Sequence, residues 1–251
     1  MIPPRKTALL TIVAIALAAP ACAQDAGWDF SVSGYMWLPK STTKVDTPWG
    51  TAKSVLSIGD AMEALDFGSM ISGTARRGRW AITGDLIYLN LSDDTSTPFG
   101  ALFSNLHMRT KLASLSGYGM YEVYETDGTR VELGLGARAM KSTLDLTFSP
   151  GTLAGRQQHI SDSWIDPLIA ARISTQLNDR WSVTASLDYG GFGIGSASNE
   201  TWQAIATLGY ALSEDWTLMG GYRHLFVDRQ NQGTDYSLEM TGLIFGATYR
   251  F

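Results

Sequence analysis

Thiols are almost missing from this chain: among 251 residues there is one cysteine, Cys22. It lies in an amino-terminal segment that reads as a removable leader, so the remainder can form neither a disulfide nor a cysteine-based metal site. Long apolar runs are missing too. The longest, residues 7–19, holds 13 apolar or small residues, against about 20 for a membrane-spanning helix. Basic charge is short: 19 Lys and Arg face 24 Asp and Glu. Phosphate backbones need a basic face, so this balance disfavours nucleic acid as a partner, and none is expected. There is no glycine-rich phosphate loop, no His/carboxylate metal cluster and no heptad stretch, and hence no cofactor or metal to expect.

The leader itself has three parts. Arg5 and Lys6 are its positive start, residues 7–19 its apolar middle, and Ala21-Cys22-Ala23 a small-residue cleavage site before Gln24. A competing reading makes Cys22 a lipidated amino terminus, but Ala19-Pro20-Ala21 lacks the leucine usual there. The expected organisation is a signal peptide over 1–23 and one β-domain over 24–251. Without Arg5 and Lys6, 17 basic residues face 24 acidic ones, a net charge of −7. Nothing after the leader could cross a bilayer as a helix. A membrane form would have to be a closed barrel, the other structure that satisfies its own backbone in lipid.

What the chain does have is a repeated two-residue rhythm broken by short polar turns. In Trp181-Ser182-Val183-Thr184-Ala185-Ser186-Leu187-Asp188-Tyr189 the odd positions are apolar and the even ones polar, the pattern of a strand with one apolar face. The stretches 202–210 and 80–88 nearly repeat it. A soluble sandwich would also alternate, so the placement of aromatics matters more. Trp28, Trp80, Trp181 and Trp216 each follow a polar turn, and Tyr88, Tyr189 and Tyr210 follow Trp80, Trp181 and Trp202 on the same face. Eight residues rising about 3.3 Å each at a tilt of about 40° cover roughly 20 Å, close to the apolar band between the aromatic girdles of a transmembrane barrel. With Tyr249 and Phe251, these ten aromatics form the expected girdle.

Connections alternate between tight ones, such as Arg76 to Arg79 and Leu177 to Arg180, and long ones, such as Pro39 to Leu65 and Gly190 to Glu200. Short turns belong on the periplasmic side and long loops outside. Ten strands result, near 28–38, 66–76, 80–91, 105–123, 129–146, 160–176, 181–189, 201–212, 216–227 and 236–251, with eight and twelve as the neighbouring even counts. The expected fold is all-β: a single ten-stranded antiparallel transmembrane β-barrel. Pro167 inside the sixth strand predicts a bulge, and the faces of 111–123 stay unassigned. In the first long loop, Ile58, Ala61, Met62 and Leu65 share one face of a short helix, which lies either over or in the barrel mouth or on the surface.

Several stretches resemble a family of uncharacterised proteobacterial outer-membrane β-barrel proteins. They are Leu65-Asp66-Phe67, Arg77-Gly78-Arg79-Trp80 with Asp85-Leu86-Ile87-Tyr88-Leu89, Trp164-Ile165-Asp166-Pro167, Gly190-Gly191-Phe192-Gly193, Gly221-Tyr222-Arg223 and Tyr249-Arg250-Phe251. The resemblance implies the same barrel and brings no activity, ligand or catalytic residue with it. The closing Tyr249-Arg250-Phe251 resembles the signal read by the barrel-assembly machinery of Gram-negative bacteria.

The polar faces would point into the lumen and carry Asp29, Arg76, Asp85, Glu132, Arg138, Asp166, Arg172, Asp188, Arg223 and Arg250. Charges facing lipid are costly, and charges turned inward must pair. They read either as a salt-bridged filling or as the selective lining of a narrow conduit. Enzymatic signatures are thin. No histidine has Asp two residues before it, which excludes the Asp-x-His pair of one class of outer-membrane protease. His159-Ile160-Ser161 has the spacing of a His-x-Ser lipid A deacylase pair, but lacks the Asn after it and the later Pro-Asn. Lys111, Lys141 and His224 are candidates for lipopolysaccharide phosphates. The expectation is a non-enzymatic, monomeric outer-membrane barrel, structural or surface-interacting. A narrow passive pore is the alternative, and a lipid A-modifying hydrolase the distant one.

Overall fold

The structure, a computed structural model, describes residues 27–47, 50–95, 103–231 and 234–251. The leader with Cys22, and the Pro48-Trp49 turn, lie outside the described residues. Eleven strands and one helix follow in order: β1 Asp29–Thr47, β2 Gly50–Leu56, α1 Ile58–Ala64, β3 Leu65–Arg77, β4 Trp80–Thr95, β5 Phe103–Thr126, β6 Thr129–Pro150, β7 Arg156–Gln176, β8 Trp181–Gly191, β9 Glu200–Ala211, β10 Trp216–Asn231 and β11 Thr234–Arg250. Sequential neighbours pair antiparallel, and β11 returns to β1 from Arg250↔Ser31 to Asp235↔Asp46. The short β2 pairs only with the far part of β1, so ten strands close the ring.

Polarity is inverted relative to a water-soluble protein. Leu135 is 70% exposed, Ile82 63% and Ile165 61%, while Arg138 and Asp166 are 0% and Arg223 1% exposed. Apolar outside and charged inside is the arrangement that lipid demands and water forbids. The fold is therefore a ten-stranded transmembrane barrel. A span needs about 9–11 tilted residues, yet β5, β6 and β7 have 24, 22 and 21. Their surplus projects at the long-loop end as a stiff sheet.

Two interruptions shape the wall. The β7–β8 ladder begins at Leu168↔Gly190, so the stretch of β7 before it has no neighbour on that side. Pro167 sits at this break, in unbroken register with Ala137 of β6. The predicted bulge is thus replaced by a strand margin, where a missing N–H costs no ladder bond. A Cβ on Gly190 would come within 1.9 Å of the Pro167 carbonyl, so only glycine fits there. The second interruption lies between β1 and β3, whose pairing stops at Gly34↔Ile71, while β2 joins β1 only from Ser41. In the gap the Trp37 amide donates to Met70 Sδ at 3.0 Å, and Pro39, two residues on and facing the same side, has no donor to satisfy.

The helix α1 starts at Ser57, which caps Asp60 N and receives the Asp60 carboxylate in return. It runs beside β1 and β4 with Ala64 buried and Ile58 and Met62 exposed.

Two outcomes follow. Leu135→Arg places a cation on the lipid-facing wall and is expected to cost about 2–4 kcal/mol at mid-depth, measured by denaturant unfolding in bilayers; a soluble fold would tolerate it. The Ser57 hydroxyl and amide hold the exposed Asp60 carboxyl below the usual carboxylate range. Its contribution to α1 is therefore complete at neutral pH and lost as pH falls through that lowered value. Amide exchange in 59–64 should rise in acid while the barrel amides stay protected.

Candidate functional site

The barrel interior is the candidate site, and the strands deliver it in layers. At the short-turn end, Glu132 of β6 is gripped from both sides, by Arg76 of β3 and by Arg172 of β7 at 2.6 Å. Beside it the buried Glu122 of β5 meets Arg130 at 2.9 Å and lies 3.9 Å from Arg76. The middle layer is one continuous network over seven strands. Arg138 Nη2 donates to both Asp188 oxygens at 2.8 Å, and the Tyr118 hydroxyl donates to Asp188 at 2.9 Å. Gln203 Nε2 donates to Asp188 at 3.1 Å, while its Oε1 accepts from Arg223 Nε at 2.9 Å. Arg223 continues to Asp85 at 2.8 Å and Tyr35 at 2.7 Å, and the Tyr35 hydroxyl donates to Asp85.

Above this layer the lumen turns apolar. Trp37, Met70, Ile87, Leu89, Met140, Trp164, Leu225, Val227, Leu238, Met240 and Ile244 form one buried cluster drawn from β1, β3, β4, β6, β7, β10 and β11. Arg223 stacks under Trp37 at 5.0 Å and Arg229 on Trp164 at 4.7 Å, so the charged and apolar layers interlock. A polar lumen mostly filled by salt-bridged side chains was expected; above the ion-pair layer a hydrophobic cluster fills it instead.

Three further expectations change. Among the described residues Asp166 joins no ion pair: it accepts from Ser198 N at 2.6 Å, Ser198 Oγ at 3.0 Å and Trp164 Nε1 at 3.0 Å. Those donors matter because the connection from Gly190 to Glu200, expected as a long outer loop, keeps 192–196 exposed but tucks Ala197 and Ser198 inward. Arg229 fixes it from the other flank, donating to the Ser196 carbonyl and pairing with Asp162 at 3.0 Å. Asp29 and Arg250 stand exposed at the short-turn mouth rather than inside the network.

On the outer face, cross-strand aromatics gather near the turns: Trp80 with Tyr121 at 4.7 Å, Trp181 with Tyr210 at 4.8 Å, Trp216 with Tyr249 at 5.0 Å, Tyr249 with Phe251 and Trp28 with Phe30. A second set lies toward the long loops: Tyr88 with Phe67, Tyr189 with Phe192, and Trp202 with Phe226. His224 stacks on Trp202 at 4.3 Å and bonds Thr241 at 3.0 Å, which removes it from the phosphate candidates. Lys111 and Lys141 face outward on β5 and β6, in register with Thr143 and Ala113.

Sequence reasoning missed Glu122, Tyr35, Tyr118, Gln203, Arg229 and Asp162. The register shift between Glu122 and Tyr124 hides the first, because it turns both Val123 and Tyr124 outward and breaks the count of faces. Tyr35, Gln203 and Asp162 were readable as polar positions within counted strands but not as partners; Tyr118 lies in the stretch whose faces stay unassigned, and Arg229 lies beyond the counted end of its strand.

The His-x-Ser spacing at 159–161 does not form a hydrogen-bonded pair among the described residues. His159 Nδ1 bonds Asp145 at 2.5 Å and Ser161 bonds Thr143 at 3.3 Å, so each reaches across to β6 and not to the other. Among the described residues no group of three His, Cys, Asp or Glu could hold a metal ion. Toward the short turns lies a cavity of about 750 Å³, its mouth lined by Thr126, Gly128, Gln176 and Ser182.

No family model matches the chain, and no curated protein matches its sequence. Among solved structures, the outer membrane protease OmpT from Escherichia coli superposes with a TM-score of 0.56 at 9% identity, over 89% of this chain and 96% of that one. Ail of Yersinia pestis, in complex with the heparin analogue sucrose octasulfate, covers 90% and 99% of the two chains at 13% identity, with a TM-score of 0.37 on which nothing rests. The likeness to OmpT is one of fold, that of an outer-membrane β-barrel.

Arg138→Ala leaves the buried Asp188 without its guanidinium partner and is expected to cost about 3–5 kcal/mol. Arg138→Met with Asp188→Asn, which removes both charges, should recover much of that loss in denaturant unfolding.

Proposed function

We propose that the protein is a non-conducting, non-enzymatic barrel of the Gram-negative outer membrane, reached by way of a cleaved signal peptide, that holds a stiff β-extension above the outer leaflet for contacts at the cell surface. One observation carries the non-conducting part. The cross-section above the ion-pair network is filled by buried side chains from seven strands, including Trp37 at 2% and Val227 at 0% exposure, and Ala197 and Ser198 of the β8–β9 connection tuck inward as well. A conduit needs a continuous wet path, and the burial of these side chains supports a closed lumen.

The extension supports the rest. The outer parts of β5, β6 and β7 stay paired with each other up to Phe103↔Pro150 and Phe148↔Arg156. That is a platform rather than a set of loops. At its base Lys111 and Lys141 point away from the barrel axis toward the outer leaflet, where lipopolysaccharide phosphates would neutralise them. Lipid is thus the permanent partner, the barrel-assembly machinery a transient one, and the chain is a monomer. The separation of His159 from Ser161 disfavours a lipid-modifying hydrolase.

Planar-bilayer recording of the refolded protein tests this. The expected trace shows no discrete steps, whereas Trp37→Ala with Leu225→Ala, which thins the apolar layer, should produce them. Steady single-channel currents from the unaltered protein would give the function to a pore.

A further inference from the structure

The outer half of β7 is a strand with one neighbour. Its ladder to β8 begins at Leu168↔Gly190, while its ladder to β6 continues out to Phe148↔Arg156, so residues 156–167 form a sheet margin. An antiparallel strand sends its N–H and C=O groups to one side and then the other at successive residues. The Pro167 carbonyl aims at the β8 side, where a Cβ on Gly190 would collide with it. Gln157, His159, Ser161, Ser163 and Ile165 share that parity, so their backbone groups face the open side. The β8–β9 connection does not fill the place. Gly193 N donates to the Ser198 carbonyl and Ala197 N to the Ile194 carbonyl, within the connection itself, and Ser198 reaches β7 at the Asp166 carboxylate. Residues 156–161 are exposed on both faces. Neither Pro nor Lys, common guards of a strand edge, occurs from 157 to 165.

We infer that the β7 edge from Gln157 to Ser163 is a docking site for an extended acidic peptide segment of another protein, which adds as a strand in the place that β8 leaves empty. This rests on the reading of the β5–β7 extension as a contact surface and names the part of it that binds. β6 and β5 back the edge out to Phe103↔Pro150, so the template is set before a partner arrives and little ordering is lost on binding. Main-chain bonds supply affinity in such an addition, and side chains supply the selection. The row turned away from the barrel axis is polar, and Ser161 already shares a hydroxyl pair with Thr143 at 3.3 Å that a hydroxyl on the new strand would extend. The charge around the edge is positive. With Lys111 and Lys141 turned to lipopolysaccharide, Arg109, Arg156 and His159 stand against Asp145, because Asp162 is held by Arg229. A second copy of the chain does not fit. Antiparallel pairing of two β7 edges puts the two-fold axis across the strands, and one barrel would then stand inverted in the shared membrane.

Fluorescence anisotropy on the refolded full chain in detergent, at about 150 mM salt to screen loose ion association, tests the edge. The probe is a labelled peptide of alternating Thr and Glu, long enough to span 157–165. Saturable binding is expected, with the Gln157, His159, Ser161 and Ser163 amides slowed in hydrogen exchange once peptide is bound. The same peptide N-methylated on its ladder-forming amides keeps its charge and loses its bonds, while a Thr/Lys peptide keeps its bonds and reverses its charge. Each should bind about tenfold more weakly. Ser161→Pro removes one donor from the open side and spares the bonds to β6, as Pro167 does, and should also weaken binding about tenfold. Ser161→Ala, which keeps the amide, should bind as the parent does. Heat-modifiable gel mobility shows that each variant folds, and if Ser161→Pro does not, the N-methylated peptide decides on the parent. The inference is overturned if the folded parent shows no saturable binding, or if the N-methylated or Thr/Lys peptide binds equally well. It is overturned too if binding survives Ser161→Pro and is lost in Lys111→Gln with Lys141→Gln, which would reduce it to attraction at the rim. Channel recording is independent of these outcomes: currents from a parent that binds the peptide would overturn the closed lumen and spare the edge.

Discussion

Every feature of this molecule answers to one constraint: a peptide backbone in hydrocarbon must find all of its hydrogen bonds within itself. Ten strands do so by closing β11 onto β1, and once the ring is closed each side chain has two destinations, lipid or lumen. Leu135 and Ile82 take the first, Arg138 and Arg223 the second. Where the ladder fails, the chain substitutes locally. Met70 sulfur accepts the Trp37 amide between β1 and β3, and proline stands at both margins, Pro39 and Pro167, where a donor would go unmatched.

The lumen solves a second problem with the same economy of groups. Arginines sent inward cannot lose their charge, so they are matched first by carboxylates and then by neutral acceptors and aromatic faces. Arg223 shows all three, with Asp85, Gln203 and Trp37. The interior is therefore zoned along the axis. On β4 the inward series runs Thr83, Asp85, Ile87, Leu89, and on β10 it runs Arg223, Leu225, Val227. Each passes from polar to apolar in the same direction. This zoning separates a hydroxyl-lined cup from a packed core and gives the two ends of the barrel different capacities.

Much of this was legible in the sequence because alternation survives the barrel almost intact. Trp181 through Tyr189 reads as one lipid-facing edge, and the ten-strand ring follows from counting such edges and their turns. What was not legible has physical reasons. Inward apolar residues such as Met140 and Trp164 sit at positions where alternation leads one to expect polarity, and nothing local marks them as facing a core. Glu122 is masked by a one-residue register shift. Asp166 carries a charge that sequence would pair with arginine, yet its partners are an amide and a hydroxyl of a connection thirty-odd residues away. The length of that connection does not say which way it folds; the glycines at 191, 193 and 195 with positive φ, and Phe192 with φ 59°, let it turn back into the wall.

The closing ladder between β1 and β11 has a consequence for how the molecule comes to exist. Its partners, from Ser31↔Arg250 onward, sit at opposite extremes of the chain, so no local hairpin can nucleate it and every other strand must already be in place. Until then the growing sheet has two raw margins, each displaying unmatched amides and carbonyls that any passing strand could claim. The final pairing is also the one that makes the wall endless. Closing this one ladder removes both margins in a single step.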